Sequence, residues 1–440
     1  MNASYSYDKR YILTISGRND ASNIYGISAN DRIKPNWSIG AAWNLDREAF
    51  FKPGLLQTLK LRATYGYMGN INNTIAAYPT VAYSAYPDYT TGLPYANVLN
   101  APNSHLAPER TGMFNLGLDF SLKGNRLSGT LEWYQKRSNN LIAPTPVDNS
   151  TGYQSIMANS ANLKTNGVDI DLRSINMQTE DFQWTSNLLL SYTQSVVTKY
   201  LLPEAESAYL YVPRFGNAEI LGMFQEGYTP FGLHTYRFAG LDPETGDPLG
   251  YDSNGNISKE YTNIYFNSKF KDLEYQGSII PIYYGAFRNT VKWKSFSFSA
   301  NILYKFKYKL SRGVGPGQSY LFSSNTIPYP EYANRWQKPG DENKFDVVPS
   351  VRPGERDTYR DQFYGSSSAR VISGDHIRLE DIRIDYRIPT GGKVLRSLQI
   401  YCNINNLGII WHANKFGIDP ESLMQPPAPK TITVGFNAGF

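Results

Sequence analysis

The chain has 440 residues, 41% of them hydrophobic, 14% aromatic and only 18% charged. That aromatic content excludes a disordered chain, and 43 basic against 38 acidic residues, scattered along it for a net charge of +5, exclude a nucleic-acid-binding block. The single cysteine, Cys402, excludes an internal disulfide or a cysteine-rich metal site. A mean hydropathy of -0.44 looks soluble, yet a transmembrane β-barrel reads the same way because half of each strand faces a polar lumen. No apolar run reaches the roughly 18 residues of a membrane-spanning helix. The start, MNASYSYDKR, lacks the apolar centre of a signal peptide.

The dominant pattern is period-two alternation, which marks strands with two unlike faces. About twelve such strands are predicted, starting near Tyr7, Lys34, Thr58, Arg110, Asn125, Leu163, Phe182, Tyr283, Ser295, Arg370, Ser397 and Lys430. Trp37, Ile39, Ala41 and Trp43 share one face, as do Leu59, Leu61, Ala63, Tyr65 and Tyr67, and then Phe114, Leu116, Leu118 and Phe120. From Phe296 to Tyr308 one face carries only Phe, Ala, Ile and Tyr, while Ser, Asn, Leu and Lys take the other. That face stays uncharged for longer than the 9–11 or so residues a membrane strand needs. Leu379 and Ile382 cannot share a face without an extra residue, so a bulge is predicted there. Leu398, Ile400, Cys402 and Ile404, and finally Ile432 to Phe440, complete the set.

Connections alternate in length. The short ones are Lys123 to Asn125, Met177 to Asp181, Trp293 to Ser295 and Pro389 to Arg396. The long ones are Gly69 to Glu109, Ser138 to Asn162, Tyr200 to Ile282, Leu310 to Ala369 and Trp411 to Pro429. Short periplasmic turns and long extracellular loops are the habit of outer-membrane barrels, and a soluble sandwich has no reason to sort its loops. The fold class is therefore all-β, an antiparallel transmembrane barrel.

Little in the chain suggests catalysis. His105, His234, His376 and His412 are far apart and read as scattered surface residues. Asp252, Asn254 and Asn256, with Asp242, Glu244 and Asp247 upstream, partly match a calcium loop but lack its terminal Glu and helices, and read better as turns. Asp169 and Asp171 lie two apart on one polar face, as lumen-facing groups would. No nucleophile-elbow or phosphate-loop pattern occurs. No catalytic residue, metal site or cofactor is expected. The loop from Gly69 carries Tyr78, Tyr83, Tyr86, Tyr89 and Tyr95, and Trp336 lies in another long loop. Their rings either pack the loops on each other or meet the apolar face of a sugar. On the second reading Tyr83, Tyr86, Tyr89, Tyr95 and Trp336 are the substrate-contacting candidates.

Several segments resemble, in order, those of SusC/RagA-like TonB-dependent outer-membrane transporters. They are YSYDKRYILTISGRNDAS, LKLRATYGYMGN, NLGLDF with NRLSGTLEWYQKRSNNLI, TNGVDIDL, AGLDPETGDPLGYDSNGN, IRLEDIRIDYRIP, FGIDPES and PKTITVGFNAGF. One departure is NSHLAPE at Asn103 to Glu109, where the family carries a Trp. The resemblance implies that residues 1–440 are the carboxy-terminal portion of a barrel of about 22 strands. Signal peptide, TonB box and plug domain are then absent from this sequence. It implies import of oligosaccharides or peptides across the bacterial outer membrane, beneath a SusD-like surface lipoprotein. Expected partners are membrane lipid, the amino-terminal plug and barrel half and, through that half alone, TonB. The alternatives are a free-standing small pore, whose closure an even strand number allows, a non-functional truncated fragment, and a soluble glycan-binding protein.

Overall fold

The computed structural model describes residues 1–20, 34–52, 54–70, 75, 77–153, 155–202, 204, 206–213, 224–312, 330–352, 357–389, 395–423 and 426–439. The aromatic end at Phe440 and most of the turn after Pro389 lie outside the described residues. Two compact units divide the chain. The first is Met1–Pro203, Phe224–Pro230 and Phe287–Lys294; the second is Glu204–Met223, Phe231–Ala286 and Ser295–Phe440.

The first unit is an up-and-down antiparallel sheet. Asn2–Tyr7, Tyr11–Asp20, Lys34–Asn44, Leu56–Asn70, Glu109–Leu122, Leu127–Pro146, Ser155–Gln178 and Phe182–Tyr200 each pair with the next. Register puts the predicted apolar residues Ala41, Ala63 and Leu116 in one row, which Leu13, Trp133, Val168 and Tyr192 extend on either side. Leu13, Leu116 and Trp133 in that row are exposed. One residue along, the other face is polar. Arg62 Nε meets Asp119 at 2.7 Å and its Nη2 meets Glu132 at 2.7 Å, across three strands. Tyr134 crosses this face to reach Thr193 at 2.9 Å. It lies over Gly167, where any Cβ would come within 2.1 Å of its ring.

The second unit contains Phe296–Phe306, His376–Ile388, Ser397–His412 and Thr431–Gly439, again paired in order. Phe298, Ile384, Cys402 and Val434 form one row, and Phe296, Tyr386, Ile400 and Phe436 the next. The predicted bulge is present: pairing jumps from Leu379 to Asp381 and leaves Glu380 as the extra residue. The strand Tyr283–Trp293 begins in the second unit and ends in the first.

Three expectations change. There are thirteen such strands among the described residues, not about twelve, because Asn2–Tyr7 is a strand of its own, turned by Asp8 and Lys9 at φ 48° and 54°. Among the described residues the number is odd, where the free-standing pore was argued from an even one. Ser138 to Asn162 is mostly strand: after a bulge near Asn140, pairing resumes and runs to Pro146 opposite Ser155. The segments Tyr200 to Ile282 and Leu310 to Ala369 hold structure of their own. They contain the helices Tyr261–Asn267 and Thr358–Gly365 and the short strand pair Gly232–Thr235 with Glu274–Ser278, and at the edges of the second segment Lys309–Ser311 pairs with Val371–Ser373. Tyr236, Tyr261, Ile264, Tyr265 and Phe363 form a buried cluster between them.

The exposed apolar rows should meet lipid. Phe298→Arg is expected to cost roughly 2–4 kcal/mol near the bilayer midplane, and Ser299→Arg, on the polar face, far less. Unfolding measured in lipid checks the order; a reversed order would swap the faces.

Candidate functional site

The tyrosine loop of the first unit folds as a small hairpin. Thr80–Tyr83 pairs with Ala96–Asn100, and Ser84 N donates to Tyr95 O at 2.9 Å. The tip turns on Asp88, whose carboxylate accepts from Thr90 N at 3.0 Å and Thr91 N at 2.8 Å. Those donors hold its carboxyl below the usual range, Thr91 most. At the base Leu106 is fully buried with Ile75 and Ala77, against Ile142 and Met157. Leu106 therefore anchors the NSHLAPE segment where the resemblance expects a Trp. Asn159 clamps the same segment, accepting from Ala107 N at 2.8 Å and donating to Ala107 O at 2.7 Å.

On this base Tyr83, Tyr86 and Tyr89 are 82%, 79% and 104% exposed, and Tyr78 and Tyr95 are also exposed. These rings do not pack the loop. Trp336 belongs to the second unit and differs. It is 9% exposed, its Nε1 donates to Glu342 at 3.1 Å, and it lies on Gly246, where a Cβ would come within 2.4 Å of the indole. The structure brings four candidate tyrosines together on one hairpin and fixes the tryptophan elsewhere.

The centre of the second unit's loops is Asp247, which is fully buried. It accepts from Arg360 Nε at 2.9 Å, from Thr245 Oγ1 at 2.9 Å and from Arg352. Burial pushes its carboxyl up, but Arg352, Thr245 and Arg360 outweigh this and hold it below the usual range. Sequence reasoning placed Asp247 in a turn and missed its two arginine partners, which lie more than a hundred residues away and leave no local signal. The calcium-like residues have other work. Asp242 accepts from Glu244 N and Thr245 N and pairs with Lys259 at 2.7 Å, while Asp252 caps its turn through Asn254 N and Asn256 N.

The histidines are not all surface residues. His376 is fully buried at a strand end, beside Tyr308 at 3.1 Å, and pairs in register with His412. It lies 3.7 Å from Glu421, which also receives Lys305 and, at 3.1 Å, Arg378. His376 and Lys305 hold the Glu421 carboxyl down at about 2. His234 is buried between the rings of Phe270 and Tyr275, at 4.8 and 5.2 Å.

Residues 1–407 match the family described as TonB dependent receptor-like, beta-barrel. TonB-dependent receptor P26 of Formosa agariphila is 27% identical over 99% of this chain and 45% of its own length. TonB-dependent receptor SusC of Bacteroides thetaiotaomicron is 24% identical over 98% of the chain and 42% of its own length. The chain thus spans less than half the length of these curated relatives. The solved RagAB peptide importer shares the fold at a TM-score of 0.75 and 21% identity, over 100% of this chain and 46% of that one.

Burial pushes the His234 imidazole down to about 4, only partly opposed by a hydrogen bond at Gly232. The unfolded chain takes up that proton near 6.5 and the folded loop does not. The contribution to stability is therefore intact above about 6.5 and falls by roughly 3 kcal/mol as pH drops toward 4. Denaturation of the second unit at pH 7 and pH 4.5 should show the loss, and His234→Phe should remove most of it.

Proposed function

The chain belongs to the TonB-dependent receptor β-barrel family, outer-membrane transporters rather than enzymes, and from that premise we propose that it supplies barrel wall and extracellular loops to a SusC-like importer of oligosaccharides or peptides. Plug, TonB box and the remaining strands would come from sequence beyond these 440 residues. TonB would act through that plug, and a SusD-like lipoprotein would cover the loops. In hydrocarbon every unpaired backbone group costs several kcal/mol, which the further strands would relieve by pairing.

The observation that carries this reading is the tyrosine hairpin. Three rings stand out from a hairpin whose base is braced by Leu106 and whose one charge, Asp88, sits at the tip. Aromatic faces suit the apolar face of a sugar or a peptide side chain. A soluble glycan-binding protein would need to hide the rows of exposed Phe, Ile and Val along the strands, and these lie open.

Replacing Tyr83, Tyr86 and Tyr89 together by Ala in the intact importer should weaken substrate binding by on the order of tenfold, with the barrel still heat-modifiable on gels. Unchanged binding would move the contact elsewhere. Topology has its own check. Asn343 is exposed in the loop between Phe306 and His376. In a Cys402→Ala background, Asn343→Cys should react with an impermeant thiol reagent on intact cells. Labelling only after the outer membrane is opened would invert the topology.

A further inference from the structure

A broad depression of about 510 Å³ opens in the loops of the second unit between Arg335, Trp336 and Arg352, beside Thr245, Gln337 and Ser350. Its volume is that of small-ligand pockets. Among the described residues its lining carries two guanidinium groups and no carboxylate. The acids that touch the lining are engaged: Asp247 lies fully buried and is shared by Arg360, Thr245 and Arg352, Glu342 accepts from Trp336 Nε1 and Gly340 N, and Asp341 accepts from Gln337 N and pairs with Lys344.

Both arginines are held in place with donors to spare. A guanidinium has five N–H donors. Arg352 meets Asp247 through one nitrogen, and its side chain is 40% exposed. Arg335 donates from Nη1 to Tyr332 O at 3.1 Å and lies 4.1 Å over the Tyr332 ring. Its backbone is fixed by a bridge to Val348. Trp336 is fixed too, by Glu342 on its Nε1 and by Gly246 against its ring. Two preset forks of this kind match a carboxylate, which arginine reads better than lysine can. An indole edge with Val351 adds apolar surface, and Thr245, Gln337 and Ser350 add neutral polar groups. That combination fits a ring that bears hydroxyls and one negative charge. An acidic peptide would compete for the same arginines, and a comparison of ligands separates the two.

We propose that this depression is a subsite for an acidic sugar, a uronic acid unit whose carboxylate takes Arg335 and Arg352 while its ring lies along Trp336 and Val351. The proposal rests on the import reading and narrows its substrate class. The test uses the intact importer in detergent, titrated calorimetrically with an oligogalacturonide, a neutral galacto-oligosaccharide of equal length and an acidic peptide. The acidic sugar should bind about tenfold tighter than the neutral one, and the gap should shrink at high salt. Arg335→Gln should abolish the preference, bringing the affinity for the acidic sugar down to that for the neutral one. It is the safer variant, because the contacts of Arg335 are a carbonyl and a ring, whereas Arg352 neutralises a buried carboxylate. Equal binding of the two sugars, or an Arg335→Gln protein that keeps the preference, would overturn the subsite. Binding of the peptide with the acidic sugar left out would overturn the sugar assignment. Uptake by cells separates the two levels. Neutral oligosaccharide or peptide import without an acidic preference removes this subsite alone, whereas no import of any of them by the intact protein removes the import reading beneath it.

Discussion

Each backbone N–H and C=O of a strand set in lipid has to find its partner on a neighbouring strand, because hydrocarbon offers none. Most of the architecture answers to that requirement. Strands pair with their sequence neighbours over long stretches, as Ser155–Gln178 does on both sides. Irregularities at Trp184 and Val197 fall near the ends of Phe182–Tyr200. The shortest connections use residues that tolerate a left-handed backbone, such as Gly124 and Asn125 at φ 69° and 53°. Once the backbone is satisfied, side chains are free to divide by face. The outward rows are apolar, and the Arg62–Asp119–Glu132 network occupies the opposite side, where the three charges satisfy each other.

The loops answer to a different rule. Beyond the strand ends, water satisfies the backbone, so ordinary burial decides the structure. The cluster of Tyr236, Tyr261, Ile264 and Phe363 is a small hydrophobic core of the kind a soluble domain has. Asp247 shows the cost of such a core: a carboxylate with no solvent contact persists only because Arg360, Arg352 and Thr245 converge on it. Tyr236 and Tyr261 use their hydroxyls on Tyr265 O and Pro248 O, at 2.9 and 3.0 Å, so neither buries an idle polar group.

This division explains what could be read from the sequence. The strand faces were legible because period two is a local signal; even the bulge at Glu380 showed as a break of phase between Leu379 and Ile382. The first strand was not, since NASYSY places only Ala3, Tyr5 and Tyr7 on its less polar side. The hairpin beyond Ser138 was hidden by its own bulge, which shifts the faces near Asn140. Loop structure was illegible for a stronger reason. The arginine partners of Asp247 lie 105 and 113 residues away, and nothing local marks them. The burial of His234, His376 and Trp336 also follows from neighbours outside any local window, such as Phe270 and Tyr275 around His234 and Gly246 beneath the indole. The tyrosines of the hairpin were visible as residues, but whether they faced inward or outward depended on Leu106 filling the base.

The two regimes meet at the strand ends, and there charge joins them. Lys305 at the end of one strand and His376 and Arg378 at the start of the next converge on Glu421 from the following loop, and Arg378 takes Asp419 at 2.5 Å. Phe416 of that loop stacks on Phe345 and lies 3.8 Å under Arg312, which in turn holds Glu331 and Asp346. Because Glu421 is held near 2, it keeps its charge throughout the neutral range, and the latch does not open with modest changes of pH. A loop fastened in this way cannot drift independently of the strand ends it grips. A ligand that meets Phe416, Asp419 or Glu421 therefore meets side chains whose positions are inherited from the strand ends, and the entropy of ordering them has been met on folding rather than at the moment of binding.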